Sequence, residues 1–254
     1  MNTYLFNTKT RFFTSGFKQL RLYTLYIICV ICTTSCSSSS DAFLEKGRQM
    51  MQQGDFKGAV EFLNKAIEKN PENVDALNAR GVANLELKNY SAAQLDFDQA
   101  IKINSNTYKP YYNRGRNQAA QQKWQPALED FSKAVQLAPD TADIYFNRGV
   151  IYFQLNQFTE ALQDFSKAIL LNPQNHDYYY NRGTTKLRIQ DVQGALDDFQ
   201  HSIQINPRFA KGYYTLGLEE LLSKNKEDGC EHLHRSDELG YPEAKQAIEM
   251  YCKN

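Results

Sequence analysis

One spacing governs what this chain can fold into. Gly47, Gly81, Gly115, Gly149, Gly183 and Gly217 recur every 34 residues, and other columns keep the same register. Ala59, Ala93, Ala127, Ala161 and Ala195 form a second column, with Gly229 in sixth place. Phe97, Phe131, Phe165 and Phe199 form a third, flanked by Leu63 and Leu233. Ala66, Ala100, Ala134 and Ala168 continue into Ser202 and Ser236, and Pro71, Pro139, Pro173 and Pro207 close their units, with Ser105 substituting once. A fixed period of this length means a stack of small units that each lack a core of their own.

Within a unit the steps are helical. Tyr145, Gly149 and Tyr152 advance by four and three, and Ala161, Phe165 and Ala168 do the same further on. Small residues where two helices cross permit close approach, and the phenylalanine fills the space beside them. Gly54-Asp55, Lys88-Asn89 and Asn156-Gln157 supply the turns between paired helices. Each closing proline ends the second helix, since it lacks an N–H and disfavours helical geometry before it.

Six columns in register over residues 40 to about 243 resemble the tetratricopeptide repeat. The resemblance implies an all-α, right-handed α-α superhelix of about six helix-turn-helix repeats (40–73, 74–107, 108–141, 142–175, 176–209 and 210–243). Residues 243–254 follow as a capping helix and tail. Glu243 to Cys252 is expected to pack through Ala244, Ala247, Ile248 and Tyr251 and to be polar elsewhere.

The chain ahead of the repeats reads differently. Residues 1–35 hold Lys9, Arg11, Lys18 and Arg21 and no acid, then the apolar run Leu22 to Thr33, then small residues before Cys36. That order is a secretory signal, and the apolar run is shorter than the roughly 20 residues of a spanning helix. Thr34-Ser35-Cys36 resembles the lipobox of bacterial lipoproteins, with Thr33 where leucine is usual. The resemblance implies that Cys36 is diacylated and becomes the N-terminus, tethered through residues 36–40; an ordinary cleaved signal and a retained membrane anchor are the alternatives. Ser37 is not the aspartate that resembles an inner-membrane retention signal, so the expected location is the outer membrane, facing the periplasm. The whole chain carries 29 basic and 29 acidic residues; without the four early cations 25 face 29. That balance gives no footprint for nucleic acid.

Arg80, Arg114, Arg148 and Arg182 precede the glycines, and Asp96, Asp130, Asp164 and Asp198 follow sixteen residues later. Where the arginine is missing so is the aspartate: Lys46 with Phe62, and Leu216 with His232. The pairing reads as a structural Arg–carboxylate contact between packed helices, not a catalytic acid and base. Asn113, Asn147 and Asn181 read as backbone-bonding residues. At the far end Cys230 and Cys252 each lie eleven residues from Tyr241. Antiparallel helices turning there bring them level, and in an exported chain that spacing suggests a disulfide. Two packed thiols, or a metal held by Cys230 and His234, are the alternatives. No metal or cofactor site is expected.

In tetratricopeptide repeats the first helices line a concave groove. The corresponding column here is Leu44, Asn78, Tyr112, Phe146, Tyr180 and Tyr214, extended by Phe153 and Leu187. Charges at its edge are Asp75, Lys109, Asp143, Asp177 and Lys211. The lysine–asparagine clamp that some family members use for a terminal carboxylate survives only as Lys109 and Asn113. The neighbouring column, Tyr111, Tyr145, Tyr179 and Tyr213, is expected in the core, rotated by about 100°. The expected function is non-enzymatic: a lipid-anchored scaffold holding a protein or peptide partner, similar to lipoproteins such as the pilotins of type IV pili. A carbohydrate or peptidoglycan-fragment binder that stacks sugars on the tyrosines is the alternative.

Overall fold

The computed structural model describes residues 39–253, and every regular element among them is a helix. Helix α1 covers residues 39–52. After it come α2 (Phe56–Lys69), α3 (Val74–Glu86), α4 (Tyr90–Ile103), α5 (Tyr108–Ala120), α6 (Trp124–Leu137) and α7 (Ala142–Gln154). The series ends with α8 (Phe158–Leu171), α9 (His176–Arg188), α10 (Val192–Ile205), α11 (Ala210–Leu222), α12 (Lys226–Glu238) and α13 (Ala244–Tyr251). Helices pair in sequence into hairpins. They form two compact units, divided after Ile103, just ahead of Ser105 where the other repeats have proline.

Local chemistry explains the boundaries. Asp55, Asn73 and Asp191 cap α2, α3 and α10 by accepting from the backbone N–H of Gly58, Ala76 and Gly194 at 2.9, 3.0 and 3.0 Å. The turn inside each hairpin needs one left-handed residue. Glycine supplies it only in the first, at Gly54 with φ 78°; the others use Lys88, Gln122, Asn156, Gln190 and Lys224 at φ 58–66°. Asn70, Ala138 and Asn172 leave helical geometry just before a proline, as the clash with the proline ring requires.

In the first unit, Leu44, Ala59, Leu63, Ala66, Ala76, Ala79 and Ala83 form a core covered by Phe43, Met50 and Phe56. A second cluster gathers Leu85, Ala93 and Phe97 with Val82 and Tyr90. A Cβ added at Gly81 would lie 2.5 Å from the Phe97 ring, which is why that crossing takes no side chain. Ser40, assigned to the tether from sequence, is instead helical and fully buried. Its Oγ donates to the Ala66 carbonyl at 2.9 Å and accepts from Asn73 Nδ2 at 3.0 Å, so this serine has two polar partners inside the first hairpin.

In the second unit, four hairpins (α5–α6, α7–α8, α9–α10 and α11–α12) are followed by α13 packed on α12. Phe131, Phe165 and Phe199 are fully enclosed, as are Ala127, Ala161 and Ala195. The last hairpin has Leu233 instead of phenylalanine and closes further: a Cβ on Gly217 would meet the Gly229 carbonyl oxygen at 2.7 Å. Gly240, at φ 84°, ends that hairpin and turns the chain into α13. Ala244 and Ala247 are buried there and Ile248 is half-buried, but Tyr251 is exposed. The sequence reading placed Tyr251 on the packed side; α13 stops at that residue, whose side chain faces solvent.

Candidate functional site

Each hairpin from the second to the fifth is fixed by a buried Arg–Asp ion pair. Arg148 Nε and Nη2 donate to the two Asp164 oxygens at 2.7 and 2.8 Å, and Arg182 addresses Asp198 in the same way at 2.9 and 2.7 Å. Arg80–Asp96 and Arg114–Asp130 repeat the arrangement at 2.6 and 2.7 Å. The Asp198 hydrogen bond holds Arg182 protonated against the opposing effect of burial. Arg80 Nη1 also donates to Asn64 Oδ1 at 2.8 Å, joining its hairpin to the preceding one. These groups are saturated by one another, as structural partners are.

The sixth repeat lacks this pair and substitutes another, which the sequence reading missed. His232 Nδ1 lies 2.6 Å from Glu220 Oε2. Burial lowers the His232 pKa, but the hydrogen bond and charge of Glu220, with Glu231 and Asp228, raise it overall. The signal was available: His232 stands in the aspartate column, and Glu220 stands 34 residues after Lys186, which contacts Asp198.

The aromatic column lies along the first helices of the second unit. Each ring is half-buried and rests on the enclosed phenylalanine of its own hairpin: Tyr112 on Phe131 at 5.8 Å, Phe146 on Phe165 at 5.9 Å, Tyr180 on Phe199 at 5.5 Å. Tyr214 has no such phenylalanine and pairs with Tyr241 from the connector at 4.8 Å. Hydroxyls tie the rings to the next hairpin: Asn147 Nδ2 donates to Tyr112 at 3.1 Å, and Tyr180 lies 3.2 Å from Thr215 Oγ1. Burial pushes the Tyr112 hydroxyl up, partly countered by Arg116. The column is therefore half core and half surface. In the first unit its counterpart Leu44 is not available at all, being 5 % exposed within the core cluster.

The remaining expected residues fall as follows. Phe153 meets Phe158 at 5.7 Å, and the Arg188 guanidinium lies over both rings at 5.6 and 5.0 Å. Leu187 is half-buried against the cluster of Phe199 and Leu216. Lys109 is exposed, as is Lys211, whose ammonium sits 5.1 Å from the Tyr180 ring centre. Asn147 and Asn181 donate to the carbonyls of Asp143 and Asp177 at 2.8 Å each. In the neighbouring column Tyr145 and Tyr179 are buried, whereas Tyr111 and Tyr213 are half-buried. Cys230 and Cys252 form a disulfide, S–S 2.03 Å, which joins α12 to the end of α13. Residues 1–35, Cys36 and residues 37–38 lie outside the described residues. Among the described residues no cluster of metal-ligating side chains occurs.

Tyr178 is the other residue that sequence reasoning missed. Fully buried, it packs on Phe146 at 5.0 Å, and its hydroxyl donates to Asp143 Oδ1 at 2.6 Å. Burial, then the Asp143 acceptor, push that hydroxyl well above the ordinary tyrosine range. A weak column pointed to it: Ala76, Pro110, Ile144 and Gly212, at the same 34-residue interval, are all buried.

Comparison with known proteins agrees with this architecture. Models of the tetratricopeptide repeat match residues 74–107 and 142–175, and a TPR repeat model matches 47–88 and 118–156. No curated protein matches the sequence. Among solved structures, YrrB, described as a TPR protein with an unusual peptide-binding site, shares 21 % identity over 74 % of this chain and 97 % of its own, with a TM-score of 0.61. Pseudomonas aeruginosa pilF shares 18 % over 85 % of this chain and 99 % of its own, at a TM-score of 0.76. Cut9–Hcn1 of the APC/C shares 16 % over 91 % and 46 %, at 0.72. With its 34-residue columns, paired helices, enclosed Gly–Ala–Phe crossings and these matches, the chain is a tetratricopeptide-repeat protein.

Proposed function

We propose that this chain is a lipid-anchored scaffold that holds an extended segment of a partner protein along the aromatic wall of α5, α7, α9 and α11, in the assembly of an envelope complex. The observation that carries this reading is the half-burial of Tyr112, Phe146, Tyr180 and Tyr214. A ring braced on one side and open on the other loses little entropy when a partner covers it, which is how aromatic residues come to dominate binding surfaces. YrrB, whose description names a peptide-binding site, supports the choice of a peptide over other ligands. The Arg–Asp pairs of the repeats serve to hold their hairpins together, and the reading assigns them no catalysis.

Attachment rests on the sequence ahead of the described residues, where cations, an apolar run and small residues lead to Cys36. Two or three acyl chains there give stable anchoring, for which one chain does not suffice. We place the protein at the outer membrane, facing the periplasm. Among the described residues no helix is long and apolar enough to cross a membrane.

Two manipulations in cells test the proposal. A photo-crosslinking amino acid in place of Tyr214 should trap a partner protein, and one in place of Leu170, exposed on α8, should not. Equal trapping at both sites, or trapped glycan at Tyr214, contradicts the peptide reading. Cys36→Ser should yield a precursor that takes up no labelled fatty acid; acylated, membrane-bound variant contradicts the anchoring.

A further inference from the structure

Among the cations of the wall, Lys211 combines exposure with a seat on an aromatic ring. Lys186 is spent on Asp198 at 2.9 Å, and the Arg188 guanidinium lies over Phe153 and Phe158. Lys211, on the first turn of α11, is exposed, makes no ion pair among the described residues, and has its ammonium held over the Tyr180 ring at 5.1 Å. An exposed lysine is ordinarily a mobile, hydrated charge; one seated on a ring has a preferred position and three N–H donors facing outward.

The groups around it are chiefly aromatic. Tyr214 and Tyr241 pair at 4.8 Å, tilted by 37°, and Phe209 stands edge-on to Tyr180 at 5.1 Å. Burial raises the Tyr241 hydroxyl, Glu243 adds to this and Lys211 opposes it, while Tyr180 and Tyr214 also act, so these side chains share one neighbourhood. The Tyr180 hydroxyl is taken by Thr215. Those of Tyr214 and Tyr241 have no hydrogen-bond partner among the described residues and are free to donate. The ammonium seated on Tyr180 and the Tyr214–Tyr241 ring pair thus stand together at the end of the wall, with the exposed Glu243 in the connector.

We propose that Lys211, Tyr214 and Tyr241 form an anion-accepting corner that selects a partner segment carrying an acidic side chain next to an apolar one. This rests on the peptide reading given above and specifies it. The carboxylate takes charge-assisted hydrogen bonds from Lys211 and the phenols, and the neighbouring apolar side chain covers Tyr180 and Phe209. The ligand is a side chain and not a chain end, because the 34-residue column runs on in both directions from the corner. Tyr180 and Phe146 precede it, and Ile248 on α13 holds the same column 34 residues after Tyr214.

The test uses the full-length chain and a positional library of short peptides, acetylated at one end and amidated at the other. Asp or Glu should be selected at one position, beside an aliphatic or aromatic residue. Lys211→Met should weaken the selected peptide about tenfold, the loss expected for one charge-assisted contact. It should leave the Asn- or Gln-substituted peptide as wild type binds it, and Lys211→Arg should retain the preference. Selection of apolar residues with no acid preference overturns the corner while the wall survives. If a free C-terminal carboxylate replaces the acidic side chain without loss, the corner reads chain ends and the proposal fails. If no library peptide binds, both readings fall together.

Discussion

Removing one arginine should cost this protein very different amounts depending on what stands beside its aspartate. Among the described residues Arg148 is the sole ion-pair partner of Asp164, whose side chain is 7 % exposed; with Arg148→Met the carboxylate is stranded between α7 and α8. Breaking a buried pair on one side costs about 3–5 kcal/mol, to which loss of the guanidinium from over Tyr145 and Tyr152 adds. Asp198 is equally enclosed, but Lys186 Nζ lies 2.9 Å from its Oδ2 and remains after Arg182→Met. That variant should lose roughly half as much, since a charged partner is still present. The stranded Asp164 has a raised pKa in the folded state, so the stability lost in Arg148→Met should grow as pH rises above the unfolded carboxylate value, about 3.9, and shrink on acidification. Hydrogen exchange resolved by helix is the assay, because stability in stacked repeats passes only between neighbours. Arg148→Met should deprotect α7 and α8 most, and Arg148→Met/Asp164→Leu should restore much of the loss. Equal costs for the two arginines, or no recovery in the double variant, would refute the reasoning.

Three further outcomes follow from particular contacts. Reducing the Cys230–Cys252 bond, or Cys252→Ser, should destabilise the last hairpin and α13 by about 3 kcal/mol in the chain-entropy model for a separation of 22 residues, read by exchange in α12. His232 has a folded pKa raised by Glu220, so its contribution is complete below the unfolded value of about 6.5 and is lost as pH rises through the folded one. Exchange from α12 should accelerate over that interval in wild type and not in His232→Gln. Gln190→Gly, at φ 66°, should stabilise by roughly 0.5–1 kcal/mol in urea melts, and Asn156→Gly by less, since asparagine tolerates the left-handed region.

The period made the fold legible, because every core column repeats: a Gly that must admit Phe97, or an Ala enclosed at position 127, announces itself by recurrence. The Arg–Asp pairs were legible for the same reason, through joint presence and joint loss. What recurrence cannot show is a contact made once. Tyr178 reaching Asp143, His232 reaching Glu220 and Tyr241 stacking on Tyr214 each depend on a residue that breaks its column. The turns illustrate a third case. Sequence located them, but only the backbone shows that five non-glycine residues take positive φ there, as the hairpin geometry is fixed by the packed helices and not by local preference. The aromatic stripe was legible as a column, whereas its half-burial follows from ring contacts with Phe131, Phe165 and Phe199.

The central claim is that a partner segment covers the aromatic wall, and Tyr214 tests it most cleanly because its ring rests on Tyr241 from a connector and not on an enclosed phenylalanine. Tyr145, 9 % exposed, is the matched core residue. The decisive measurement is a binding titration of the crosslinked partner's segment against Tyr214→Ala and Tyr145→Ala, at a temperature where melts show both folded. Tyr214→Ala should weaken binding by about thirtyfold, the roughly 2 kcal/mol of an anchoring ring, with a small change in melting. Tyr145→Ala should bind as wild type while losing about 3–5 kcal/mol of stability to the cavity. A Tyr214→Ala variant that binds normally, or a Tyr145→Ala variant that loses binding while folded, would contradict the account.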